Sequence, residues 1–162
     1  MIKRVEITID GEERVVSFHT PGEVLGLEAF GSGTYDGDAI ALGPVQCCEL
    51  PIPALADESP RTAALAAQFV QLLSRTSALR PSFARGTARQ RVTSFLLDLS
   101  HRMRARSFND RELHLRMSRL EIANLLDTRI ETVSRTLQQL HRERAISVSG
   151  SHVTIRELKM DS

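Results

Sequence analysis

The stretch MSRLEIANLLDTRIETVSRTLQQLHRERAISVSGSHVTI, Met117 to Ile155, carries two short helical patterns followed by a hairpin. Ser118 with Glu121 three residues on is a capping box, which predicts a helix start and an inward set of Leu120, Ile122, Ala123 and Leu126. After the short connection Asp127-Thr128-Arg129, Ile130, Val133, Leu137 and Leu140 recur at helical spacing and form a second inward face. Glu131, Ser134 and Arg135 then share the opposite side, near the amino-terminal end of that helix. Gly150-Ser151 supplies a two-residue turn between the strands that follow. Helix, tight turn, helix and hairpin, in this order and at these lengths, fit a winged helix-turn-helix.

On a helix lying in the DNA major groove, an arginine can fork onto guanine, a glutamate can accept from cytosine N4, and a serine can serve either sense. Glu131, Ser134 and Arg135 therefore form a candidate base-reading set. Their plainer reading is structural: Glu131 closing a capping box with Thr128, and a Glu131 to Arg135 ion pair worth ~0.3–0.5 kcal/mol. Arg129, Thr132, Arg142, Arg144 and His152 surround the set as candidate contacts to the DNA backbone, which fix register without reading sequence.

Upstream, GTARQRVTSFLLDLSHRMRARSF predicts an amphipathic helix through Val92, Phe95, Leu96, Leu99 and Met103, with a polar break at Asn109-Asp110. Before it, Leu65, Phe69, Leu72, Thr76, Leu79 and Phe83 alternate steps of four and three, the seam of a coiled coil, which predicts dimerisation; a helix packed on its own chain is the alternative. Pro81 is expected to bend or end that helix. The first 60 residues read as β structure, with about four or five short strands and a hairpin turning at Asp10-Gly11. That is few strands for a closed sheet. The fold class expected is α+β: a partial β-roll over 1–58, a dimerisation helix over 59–84 and a winged helix-turn-helix over 85–162.

The formal net charge of +1 conceals a division, with 3 basic and 11 acidic side chains in residues 1–60 against 18 basic and 9 acidic in the remainder. A basic half suits a polyanion whose counterions it displaces. The sequence has no HExxH, GxSxG, phosphate loop or paired CxxC, so no enzyme activity is expected. No apolar run approaches the ~18 residues of a membrane span and the start lacks a secretory pattern, which predicts a cytoplasmic location.

The segment from Met117 to Ile155, with VVSFHTPGEVLGLEAFGSG and CCELP upstream, resembles the Crp/Fnr family of bacterial transcription regulators, in particular its fumarate and nitrate reduction regulator branch. The likeness extends over nearly the whole chain. The cyclic-AMP receptor is similar here but carries arginine in place of Ile130 and glycine in place of Ser134. The resemblance implies a cyclic-nucleotide-binding-like jelly roll, reading of TTGAT-like half-sites by Glu131, Ser134 and Arg135, and anaerobic or redox-linked gene control. It further implies a homodimer on double-stranded DNA and an activating contact with RNA polymerase through Ile7, Thr8, Gly11 and Glu12. A departure is Asp127, where the family usually has glycine.

In the family's nucleotide site a Gly-Glu pair is joined by an Arg-Ser pair on the phosphate. Here Gly22-Glu23 is present but Gly37-Asp38 stands at the second place, so cyclic AMP is not expected. The branch's oxygen sensor, a four-iron cluster on four cysteines, finds one matching ligand in Cys48, with Cys47 an extra neighbour. The chain begins inside the family's β-roll, so a cluster is expected only in a longer form. Two alternatives follow: an interaction protein that pairs with a full-length relative, or an iron-sulfur redox sensor whose other ligands come from elsewhere.

Overall fold

The computed structural model describes residues 1–27, 33–51, 86–106 and 108–159, together with the single positions 29, 64, 70 and 83. Strand β1 (Ile2–Ile7) pairs antiparallel with β2 (Glu13–His19) on one side and β3 (Asp38–Ala41) on the other, giving the order β2-β1-β3. These are three strands among the described residues, fewer than the four or five expected. Helix α1 (Ala88–Arg104) follows, then β4 (Glu112–His114), α2 (Arg119–Leu125), α3 (Ile130–Arg142), β5 (Ile146–Ser149) and β6 (His152–Ile155). The second sheet has the order β4-β6-β5, so the architecture is α+β.

The first hairpin forms, but not around a two-residue Asp10-Gly11 turn. Thr8 and Glu12 close a longer loop: Thr8 N donates to Glu12 O at 2.9 Å and Gly11 N to Thr8 O at 2.9 Å. Gly11 takes the left-handed backbone, at φ 80°, so it follows the turn rather than forming its centre.

Helix α1 begins with a capping box, Thr87 accepting from Gln90 N while the Gln90 side chain reaches back to Thr87 N. It buries Val92, Phe95, Leu96 and Leu99. These residues join Val133, Leu137 and Leu140 of α3, Ile122 and Leu126 of the α2 region, and Val5, Val15 and Phe18 of the first sheet in one apolar core. The expected inward faces need two corrections. Leu120 is 62% exposed and Ile130 38% exposed. Both lie in the first turn of their helices.

Helix α2 ends with Thr128 N on Ala123 O at 2.9 Å and Asp127 N on Asn124 O at 3.2 Å, the paired closure that places its next residue in the left-handed region. That residue is Asp127, at φ 48°. The turn forms as expected without the family's glycine, at a cost of order 1 kcal/mol. Arg91 Nη1 donates to Asp127 O at 3.1 Å and fixes the turn against α1.

Polar side chains also tie the first sheet to the helices. Asn124 Oδ1 accepts from Val15 N at 2.6 Å, and Asn124 Nδ2 donates to Glu13 O at 3.1 Å. Lys3 Nζ lies 3.0 Å from Glu121. Beneath them is a buried ionic group. Arg102 on α1 donates to Phe18 O at 2.7 Å, lies 2.9 Å from Asp98 and 3.1 Å from Glu23. Glu23 also accepts from Thr20 N and Thr20 Oγ1, at 3.0 and 2.9 Å.

Burial raises the Asp98 carboxyl to about 6 against the pull of Arg102, with Glu23 adding to the rise. A carboxyl whose proton affinity is higher in the folded state contributes stability that is complete below its unfolded value, near 4. That contribution is lost as pH climbs through about 6. The contribution amounts to ~3 kcal/mol. Urea unfolding between pH 4 and 7 should therefore show stability falling by this component in the native chain. In Asp98→Asn the fall is absent; parallel pH profiles for the two proteins would contradict the assignment.

Candidate nucleic-acid interface

Helix α3 divides by chemistry. Val133, Thr136, Leu137 and Leu140 are buried against the core, whereas Glu131 and Arg135 are exposed and Ser134 is half-buried on the same outward side. The two plainer roles for Glu131 are not taken up. The residue capping α3 is Arg129, with no side-chain cap bond, so no Thr128–Glu131 box forms. Among the described residues neither Glu131 nor Arg135 enters an ion pair. A carboxylate, a hydroxyl and a guanidinium thus project together from the first two turns, each with hydrogen-bonding capacity to spare.

Arg129 at the helix start is exposed, Thr132 half-buried, and both border the trio. Arg142 lies farther along, on the wall of a cleft of about 440 Å³ lined also by Arg119, Ser134, Leu137, Gln138, His141 and Val148. Arg144 is not brought to the trio. It follows the carboxyl end of α3, about 20 Å from the amino end, at φ 62°, and lines a different cleft with Arg156 and Lys159.

The β5–β6 hairpin turns at Gly150-Ser151 as expected, with Ser149 opposite His152. Gly150 adopts φ 59°. The hairpin is held to α3 by Val148 N donating to His141 Nδ1 at 3.1 Å. His152 is exposed and stacks on His114 of β4, with ring centroids 4.4 Å apart and planes 10° from parallel. Partial desolvation lowers the proton affinity of the exposed His114, and the neighbouring His152 and Arg116 add to the fall.

Arg119 is a site residue that the sequence reading missed. Its Nη2 donates to Gly150 O at 3.2 Å, bridging the start of α2 to the tip of the hairpin. Its Nη1 is buried without a hydrogen-bond partner, and burial lowers its proton affinity. The cleft thus carries the positive charge of Arg119 on its wall beside Arg142. The available signal was electrostatic: a cation in the first turn of a helix opposes the helix dipole and needs another reason to be there.

Of the seam residues, Leu65, Phe69, Leu72, Thr76 and Leu79 lie outside the described residues, as does Pro81. Phe83 packs edge-on against Phe95 of its own chain, ring centroids 5.9 Å apart. Ile7, Gly11 and Glu12 are exposed on the first hairpin, and Thr8 is half-buried with Oγ1 accepting from Glu12 N at 3.1 Å.

Glu23, the carboxylate matching the family's nucleotide site, is engaged by Arg102 and Thr20 of its own chain. Gly37 lies so close to β1 that a Cβ there would collide with Val5 O. Cys47 and Cys48 are free and exposed. Among the described residues no group of three or more His, Cys, Asp or Glu could hold a metal. A four-iron cluster takes four thiolate ligands, and the described residues present two, on adjacent positions. No described helix is long and apolar enough to cross a membrane.

Comparison with known proteins agrees with this geometry. A Crp-like helix-turn-helix domain model matches residues 90–160, and a cyclic nucleotide-binding domain model matches residues 1–68. The chain is 36% identical over 158 residues to the transcriptional activator protein anr of Pseudomonas aeruginosa, covering 95% of the chain and 65% of that protein. It is 33% identical over 158 residues to the fumarate and nitrate reduction regulatory protein of Escherichia coli, covering 95% and 63%. The chain therefore spans slightly less than two thirds of the length of these relatives, which are regulators and not enzymes. Among solved structures, FixK2 from Bradyrhizobium japonicum superposes with a TM-score of 0.68 at 26% identity, over 99% of this chain and 84% of that one.

Proposed function

Because the chain belongs to the Crp/Fnr family of transcription regulators, we propose that it binds double-stranded DNA by laying α3 in the major groove and reading bases with Glu131, Ser134 and Arg135. The observation that carries this reading is the unpaired state of Glu131 and Arg135 on the outward face of a helix whose other face is buried. Arg129, Thr132, Arg142 and His152 take backbone contacts, and the Arg119 guanidinium on the wall of the cleft adds positive charge beside them. The protein acts in the cytoplasm as a homodimer, presenting two such helices about one helical turn apart (~34 Å) to TTGAT-like half-sites. Its regulatory output is anaerobic or redox-linked, with Ile7, Thr8, Gly11 and Glu12 meeting RNA polymerase. The likeness in sequence to the anr and fumarate and nitrate reduction proteins supports that output. The chain as it stands takes neither cyclic AMP nor an iron-sulfur cluster.

The test is Arg135→Ala in a binding titration on cognate DNA and on DNA with the contacted guanine replaced. A loss of ~1–3 kcal/mol is expected at the cognate site, with little further loss on the altered one. Equal weakening on every sequence would leave Arg135 a phosphate contact and remove base reading from the proposal.

A further inference from the structure

We propose that His114 and His152 form a chelating site for a divalent ion that favours imidazole, such as Ni²⁺, Cu²⁺ or Zn²⁺. The two residues face each other directly across the antiparallel pair β4–β6. Leu115 N donates to Ser151 O at 2.8 Å and Ile155 N to Arg111 O at 2.7 Å, which makes His114–His152 a pair without ladder bonds between its own residues. In such pairs the side chains stand closest.

Both rings are exposed, 4.4 Å apart and nearly parallel. Metal–imidazole bonds of ~2.0–2.1 Å place two neighbouring donor nitrogens ~3 Å apart. In the stack the ring nitrogens lie side by side without converging on one point; the ring torsion of histidine is broad and soft, so side-chain rotation alone can turn both rings edge-on toward a shared ion. Imidazole is a preferred ligand of these ions, and its neutral form is the one that binds them. Glu112, exposed two residues earlier on the same face of β4, supplies compensating negative charge. Two protein ligands leave the outward coordination positions to water or to another oxygen donor.

The site shares His152 with the proposed DNA-backbone contacts, so it is tested without DNA. Ni²⁺ is titrated into the whole chain and followed by calorimetry and by the ring-proton resonances of its five histidines. His114 and His152 should broaden first, at substoichiometric metal, with one ion bound per chain. His114→Phe and His152→Phe each keep a flat ring in the stack while removing both nitrogens, and each should weaken binding roughly tenfold or more. His101→Ala, at an exposed histidine of α1, should bind as the native chain does. Undiminished binding in both Phe variants, or broadening that begins at His19, His101 or His141, would overturn the site.

Discussion

Replacing Arg102 by alanine is expected to destabilise the protein by ~3–5 kcal/mol, because it takes the nearest cation from two buried carboxylates, leaving Asp98 without its partner and Glu23 with only Thr20 and the more distant Arg106 and His19. Glu23 and Asp98 have side chains only 3% and 6% exposed, and both lie within 3.1 Å of that guanidinium. Phe18 O loses its donor at the same time. Urea unfolding followed by circular dichroism measures the cost, and hydrogen exchange locates it, with β2 and α1 amides losing protection together. If uncompensated charge is the cause, adding Glu23→Gln and Asp98→Asn to the Arg102→Ala chain should recover more than half of the loss. Failure to recover would assign the cost to the packing of the arginine stem instead.

Phe95→Ala is the second large effect, also ~3–5 kcal/mol. Phe95 is 1% exposed and meets Phe18 of the first sheet edge-on at 6.1 Å, as well as Phe83 at 5.9 Å. Truncation leaves a cavity where sheet and helices share their core, so both should melt earlier and in one transition. A variant in which β2 loses protection while α1 and α3 keep theirs would show that the two parts do not share a core. Leu137→Ala then serves as the comparison, since Leu137 lies within the helical core and away from the first sheet.

The helix-turn-helix was legible because its signals are local. Ser118 with Glu121, the spacing of Val133, Leu137 and Leu140, and the Gly150-Ser151 turn each involve residues a few positions apart, and each forms as read. The outward trio followed from the same periodicity. What escaped lies at helix starts and across long separations. Leu120 and Ile130 fit the apolar period but stand exposed at the starts of their helices. Arg119 carries no periodic signature, and its use depends on a hairpin tip 31 residues away. The ionic group joins Glu23 to Arg102 over 79 residues; its one local trace was an aspartate, Asp98, set among the apolar residues of α1 four positions before an arginine. The Asp10-Gly11 pair was a true turn signal read one step too tightly, because the glycine closes the turn instead of forming its middle.

The amide of Asn124 has a consequence for how the first sheet meets other chains. Among the described residues strand β2 lies at the rim of its sheet, yet at Val15 N and Glu13 O its outward-facing groups are already taken by that one side chain. An incoming peptide that tried to extend the sheet there would have to evict Asn124, and with it loosen α2. Growth by edge-to-edge templating is thereby obstructed on this rim, and any ligand that did succeed in adding a strand would be felt directly by the pair of helices behind it.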